Sequence, residues 1–517
     1  MKKLLIHNDN TNLVDSFNMS IKVVFSDDID RYIDENIITK LEQEDFNIIY
    51  IKDNLSSNYL ELYGLRVVYH IRLSTQLKEK RFVPIVIVSD IDEIVLNRLE
   101  PMARILFTKN IFLIKNSKEA FDDFHDRDLK DLTPKEYQNS FLNLINIEAP
   151  ENSTSHNIAN EWAMYRWAEF LKVESRAIHS NNNKIDSMLY FKYLLAKNPI
   201  KRDRAIGCKR VKNSGKILYI DDEWKSGWSD IFESYFDKSL DIDFETFEYE
   251  FKDKNIFRVK IDIQKRVKEY NPDLVILDLR LIENDHKNIN REDISKYTGI
   301  QILEDIKNIN QGIQVLMLTA TSKSVILDKL YEYDILGYIK KEHPIDINIT
   351  TKENLNKLAD LVDKGFDKSY LKEIWNIQNT ILKLDLFKKD DEFFNKIKLE
   401  IETIFEILNS NIENKIKFTL ITIFKIFEIL TEKYNLTGNE FSKIKSLFQN
   451  NGLEDYDNNI SQIVCSRNFL IHSGNKNKLH NSCQDSLIEK PNQEHILTWF
   501  KMLKKILQNI DEKKKNV

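Results

Sequence analysis

Ile217-Leu218-Tyr219-Ile220-Asp221-Asp222-Glu223 is an apolar run that stops abruptly at adjacent carboxylates. Three later runs share its design. Leu274 to Leu277 stops at Asp278, Val315 to Leu318 at Thr319, and Ile335 to Ile339 at Lys340-Lys341. Uninterrupted apolar runs mark strands buried on both faces. A polar group at the carboxyl end of each describes a parallel sheet with a site along that edge. Three acids there would repel one another unless a divalent cation and a lysine offset their charge. The pattern predicts phosphoryl chemistry on an aspartate.

Around this segment lies a chain of 517 residues, more than one hydrophobic core usually serves, so several domains are expected. Only 11 Gly and 8 Pro leave little material for flexible linkers, and helical connections are expected instead. A formal net charge of -6 gives no whole-chain signature of nucleic-acid binding. Cys208, Cys465 and Cys483 are few, odd in number and unpatterned. They argue for a reducing compartment, and against a disulfide framework or a thiolate zinc site. The start, Met1-Lys2-Lys3-Leu4-Leu5-Ile6, is too short for a signal-peptide core, and no uncharged apolar run approaches membrane-spanning length. A cytoplasmic protein is expected, with no membrane partner.

Four segments follow from the patterning. Residues 1–125 alternate short apolar runs (Leu4 to Ile6, Ile48 to Ile51, Ile85 to Val88, Ile111 to Ile114) with helical patterns, which predicts a βα domain. Residues 126–213 carry aromatics at helical spacing, as in Glu161 to Leu171 and Met188 to Leu195, and read as a helical connector. Residues 214–348 form the second βα segment. Residues 349–517 are helical throughout, with amphipathic candidates at 370–384, 392–408, 416–434, 459–471 and 494–510.

Ile220-Asp221-Asp222-Glu223, the run into Asp278, Leu318-Thr319-Ala320-Thr321 and Gly337-Tyr338-Ile339-Lys340-Lys341 resemble the receiver domain of two-component response regulators. The resemblance implies a flavodoxin-like (βα)5 fold that takes a phosphoryl group from a sensor histidine kinase or phosphotransfer protein. It implies Asp278 as phosphoacceptor, and Mg2+ held by Asp221, Asp222, Asp278 and the backbone carbonyl of Arg280. Lys341 and Thr319 would bind the phosphoryl oxygens, and Tyr338 would be the aromatic that moves with the threonine. Two departures stand out. Gly299 comes late, leaving Glu283 to Tyr297 as a charged insertion that could shape partner choice or dephosphorylation but reads rather as a tolerated surface loop. Glu342 also stands where a proline is common, with Pro344 slightly later.

The first βα segment can be laid over the second. Asn8-Asp9 then falls at Asp221-Asp222, Ser89 at Thr319, Phe112 at Tyr338 and Lys115 at Lys341, while Lys52 takes the place of Asp278. A lysine cannot accept the phosphoryl group by this route, and its charge could satisfy Asp9 without metal. Asp53 should point to the opposite face and is a poor substitute. The segment resembles a pseudo-receiver, whose expected role is dimerisation or docking.

In the helical region, Arg467-Asn468 precedes His472 by a short step within Ser466 to Gly474. Five helical residues turn through about 500°, so Arg467 and His472 are not same-face neighbours unless the helix ends at Ser473-Gly474. The motif within an all-helical segment is similar to that of the HEPN family, which contains many metal-independent ribonucleases. The resemblance implies His472 in acid–base transfer, Arg467 stabilising phosphate charge and Asn468 orienting them, often across a homodimer. His343 and His480 have no metal-ligand partners at useful spacing.

The expected whole is two flavodoxin-like domains, a helical connector and a HEPN-like bundle. Phosphorylation at Asp278 would control an endoribonuclease acting on RNA in bacterial stress or anti-phage defence. The alternative is a phosphorylation-responsive adaptor whose bundle binds protein or nucleotide without catalysis. A DNA-binding output is disfavoured because no basic helix-turn-helix follows the receiver-like segment.

Overall fold

A computed structural model describes residues 2–25, 28–151, 153–199, 207–237, 241–252, 254–287, 293–320, 324–346, 350–388, 391–472, 483 and 485–515. Two five-stranded, all-parallel sheets dominate it. The first contains β1 (Lys3–His7), β2 (Met19–Lys22), β3 (Ile48–Lys52), β4 (Ile85–Ser89) and β5 (Ile111–Lys115), in the order β2-β1-β3-β4-β5. The second contains β6 (Gly215–Ile220), β7 (Ile242–Thr246), β8 (Leu274–Asp278), β9 (Gln314–Thr319) and β10 (Gly337–Lys340), in the equivalent order. Both are flavodoxin-like.

The central strands are buried along their whole length because helices cover both faces, as the continuous apolar runs required. Leu218, Ile220, Val275, Leu277, Val315 and Met317 share one core with the inner faces of Ile256–Tyr270 and Thr298–Ile309. Leu4, Ile6, Ile49, Ile51, Ile85 and Ile87 form the corresponding face of the first sheet, packed on Tyr63–Leu73. Trp162, Ile185 and Phe191 of the helices after residue 150 belong to that same core, so this connector is packed rather than loose. Each fully buried aliphatic side chain contributes roughly 1.5–3 kcal/mol.

The chain divides into two compact units. One comprises 1–207 with 225–231 and 341–353; the other comprises 208–224, 232–340 and 354–517. In the second unit the helical region runs through Tyr370–Leu382, Glu392–Asn409, Lys415–Lys433, Glu440–Gln449, Asp457–Ile471 and Gln493–Lys515 around its own core. Within that unit Lys372 pairs with Asp273 at 2.7 Å, and Asn310 donates to the Lys372 carbonyl at 3.2 Å. The amino end of β8 and the turn before β9 are thereby tied to the first of these helices.

Two expectations change. Cys465 and Cys483 form a disulfide with Cα atoms 5.4 Å apart. The fold brings to Asp457–Ile471 a segment 18 residues later, a proximity that spacing alone does not reveal. The 283–297 insertion is also more than a surface loop. Residues 288–292 lie outside the described residues, but Asp285, Ile294 and Tyr297 are buried. Asp285 accepts from the backbone N–H groups of Leu281 (3.1 Å) and Thr298 (3.3 Å), pinning both ends of the insertion.

Candidate functional site

In the second sheet the strand register places the acids side by side. Ile220 pairs with Leu277, so Asp221, just past β6, and Asp278, the last residue of β8, emerge on neighbouring strands. Both are buried, while Asp222 is half-buried. Asp221 accepts from the Glu223 N–H at 2.8 Å and Asp278 from the Arg280 N–H at 2.7 Å, which fixes one oxygen of each carboxylate. Burial pushes the Tyr219 phenol far up, and Asp221, Asp278 and Asp222 each push it further. The three acids therefore act on one buried neighbourhood. Thr319 closes β9, paired with Lys340 of β10. Tyr338 is half-buried, with its ring 5.7 Å from that of Tyr331 and the Lys357 ammonium 4.4 Å from its centroid.

The donor chemistry of this edge is that of a hard cation, with carboxylate oxygens and no nitrogen or sulfur. Among the described residues, no three His, Cys, Asp or Glu side chains are drawn together closely enough to enclose a metal ion. Arg280 is buried with its guanidinium 5.6 Å from the Tyr297 ring centre.

Lys341, immediately after β10, is buried in the first unit, and its ammonium donates to Asn160 Oδ1 at 2.7 Å. The Trp228 indole N–H donates to the same oxygen at 2.8 Å, and the Lys341 ammonium lies 4.9 Å from the Trp228 ring centre. Glu342 accepts from Trp167 Nε1 at 3.1 Å and from Thr351 Oγ1 at 3.0 Å. Where a proline was the commoner residue, a buried carboxylate therefore anchors helix Ser155–Leu171. Sequence reading missed Asn160, one of several polar residues on an aromatic-rich helix and among the few of them that are buried.

The first sheet shows what happens when the acids are lost. Ile51 pairs with Ile6 as Leu277 pairs with Ile220, and Lys52 pairs with Val88 as Asp278 pairs with Leu318. Lys52 thus stands at the place of Asp278 and Ser89 at that of Thr319. The remaining overlay shifts by one residue. His7-Asn8, rather than Asn8-Asp9, matches Asp221-Asp222. Ser89 pairs with Lys115 as Thr319 pairs with Lys340, so Leu113 and Asn116 replace Phe112 and Lys115 as the counterparts of Tyr338 and Lys341. A one-residue slip would turn every side chain to the wrong face, and the shared core assignments exclude it.

Asp53 points inward just past β3, and buried Lys52 and Ser89 both donate to it. Lys52 also pairs with Asp90 at 3.1 Å. Asp9 pairs with Lys22 instead of Lys52. The His7 imidazole is held below its usual pKa by burial. The pocket is internally neutralised, with a base, an amide and a lysine where the other sheet has three carboxylates.

In the helical region Arg467 and Asn468 are joined and His472 stands apart. The Arg467 guanidinium donates to Asn468 Oδ1 (2.7 Å), Glu440 (3.1 Å) and Glu428 (3.4 Å), and stacks 4.3 Å from the Phe424 ring centre. Asn468 donates to the other Glu440 oxygen at 3.1 Å. Burial raises the Glu428 carboxyl, against the pull of Arg467. His472 caps Asp457–Ile471 and is exposed, its N–H bonded to the Asn468 carbonyl at 3.0 Å. Among the described residues no hydrogen bond links Arg467 to His472. Ser473-Gly474 and His480 lie outside the described residues. Glu428 and Glu440 escaped sequence reading because they come from two other helices with no shared spacing.

Residues 2–114 match the family model described as an inactive receiver domain. No curated protein matches the chain. The first sheet's domain is thus similar to inactive receivers, a likeness of a signalling, response-regulator kind. Among the described residues no helix is long and apolar enough to cross a membrane.

Proposed function

We propose that the chain is a phosphorylation-controlled switch in which Asp278 is the acceptor and the helical region is the output. The observation that carries this is the contrast between the two sheets. Asp221, Asp222 and Asp278 gather at one carboxyl edge, while His7, Asn8 and Lys52 occupy the same places in the other. A carboxylate oxygen of Asp278 attacks the phosphorus of a kinase or phosphotransfer phosphohistidine. The P–N bond breaks, an acyl phosphate forms and the imidazole leaves. Asp221, Asp222, Asp278 and the Arg280 carbonyl would hold Mg2+, which when bound offsets the charge of the acids and phosphoryl oxygens. Thr319 and Lys341 are the groups assigned to the phosphoryl oxygens, and Tyr338 follows the threonine.

For the output, the reading is RNA cleavage at Arg467, Asn468 and His472, with the hold of Glu428 and Glu440 on Arg467 as its restrained form. A homodimer would supply a second copy of each motif. RNA integrity is compared for the parent chain, His472→Ala and Asp278→Ala, each with acetyl phosphate. The parent should cut and both variants should not. Intact RNA in the parent sinks the nuclease output and leaves the adaptor, in which the exposed end of Asp457–Ile471 binds a partner. Equal cutting by Asp278→Ala sinks the control by phosphorylation.

A further inference from the structure

The first unit contains a cleft of about 900 Å³ between its parallel-sheet domain and the helix Arg176–Ser187. This lies within the roughly 300–1,000 Å³ typical of small-molecule sites, far more than an inorganic phosphate would fill. Successive turns of Arg176–Ser187 present one polar wall, with Arg176, Ser180, Asn183 and Lys184 all on the cleft. Arg31 and Arg66 face them from the sheet domain. The acids on the cleft are already committed. Asp30 receives Arg66, the His70 ring and the Leu189 N–H, and Asp28 accepts from the Arg31 N–H.

Of the cations, Arg66 is bound to Asp30, whereas among the described residues Arg31 and Lys184 are held only by largely exposed pairs with Glu35 and Glu161, of the kind worth little in water. Among the described residues Arg176 has no ion pair, and it opens its helix, where the backbone dipole also favours an anion. Tyr63 and Met188 supply an apolar stretch beside this charge. Cations on both walls, hydroxyl and amide groups along the helix and an aromatic face nearby match a phosphate ester that carries a ring.

We propose that this cleft binds a nucleoside phosphate, with Arg176, Lys184 and Arg31 on the phosphates and Tyr63 with Met188 against the base. The assignment is independent of phosphorylation at Asp278.

The test is fluorescence anisotropy of N-methylanthraniloyl-ATP with the full chain, with competition by ATP, adenosine and tripolyphosphate. Saturable binding is expected, displaced by ATP and far less well by the other two. Arg176→Gln should weaken it about tenfold and Arg176→Gln with Lys184→Gln about a hundredfold, as for lost charge-assisted bonds. Ser180→Trp, which fills the cleft without altering its charge, should abolish binding. These positions are exposed, so unchanged circular dichroism is expected for all three variants. No saturable binding, variants that bind like the parent, or tripolyphosphate that displaces the probe as well as ATP would each overturn the proposal.

Discussion

Lys52 stands at the edge position that Asp278 takes in the other sheet. Its buried ammonium is balanced by Asp53 and Asp90, so it is a partner as well as an obstruction. Lys52→Asp therefore does not restore an acceptor. It leaves Asp53 buried without its cation, a change that typically costs about 3–5 kcal/mol. The variant should melt well below the parent and take up no label from acetyl phosphate at position 52; appreciable labelling there would refute this account. Asn160 poses the opposite case, one oxygen shared by two buried donors. Asn160→Ala removes that acceptor from both Lys341 and Trp228, at about 1–3 kcal/mol for each buried group affected. A melting temperature equal to the parent's would show that the shared acceptor is energetically idle. His70 adds a pH dependence. Complete burial pushes its imidazole down to about 4, and among the described residues its Nδ1 has no hydrogen-bond partner, as suits a neutral ring donating from Nε2 to Asp30. The unfolded chain takes up this proton near pH 6.5 and the folded chain only near 4. The stability His70 contributes is thus complete above pH 6.5 and lost as pH falls towards 4, by an amount on the order of 3 kcal/mol. Urea midpoints at pH 7 and 4.5 should differ accordingly, and His70→Gln should shrink the difference.

Among elements, eight strands were legible and the edge strands β2 and β7 were not. β1, β3, β4, β6, β8 and β9 announce themselves as apolar runs because both faces are covered, and the edge strands β5 and β10 keep enough apolar residues to do the same. β2 and β7 are only half-buried and carry Lys22, Asp243 and Glu245, so their patterns merge with loops. The chain's internal overlay slipped by one residue at β1 and β5 for a related reason. Polar residues there follow the strand in close succession, and only pairing fixes which one sits at the edge. At β3 and β8, where the overlay held, matched glycines mark the register. A Cβ on Gly299 would lie 2.3 Å from the Asp278 carbonyl, and one on Gly64 would lie 2.1 Å from that of Lys52. Gly299→Ala must therefore push the strand end that carries Asp278. Phosphate uptake from a small-molecule donor should fall by more than tenfold while the bundle still folds. Uptake like the parent's would mean that this close approach is dispensable. The disulfide was illegible because it joins helix Asp457–Ile471 to a cysteine 18 residues later, a proximity that no local pattern encodes.

Across the molecule, the row of acids at the carboxyl edge of the second sheet was readable from residues and the surroundings of Arg467 were not, because Arg467 is held by helices whose sequences give no hint of it. Within the second unit, the acids and the contact with the helical bundle lie at opposite ends of one strand. Asp278 closes β8, and Asp273, one residue before its start, pairs with Lys372. Five residues of strand span about 16 Å, so a rigid element and this pair give a change at the acids a route to the bundle. Gly312 tightens the same junction, where a Cβ would meet the Lys372 backbone at 2.4 Å. Lys372→Ala should therefore leave phosphate uptake at Asp278 intact yet blunt its effect on the bundle. Hydrogen exchange of Lys415–Lys433 and Glu440–Gln449, with and without acetyl phosphate, measures this directly. These two helices carry Glu428 and Glu440, so a loosened hold on Arg467 appears there as faster exchange. The parent should respond to the phosphodonor and Lys372→Ala should not, with equal labelling of Asp278 in both. If the variant responds as the parent does, the signal takes another route than the Asp273–Lys372 junction.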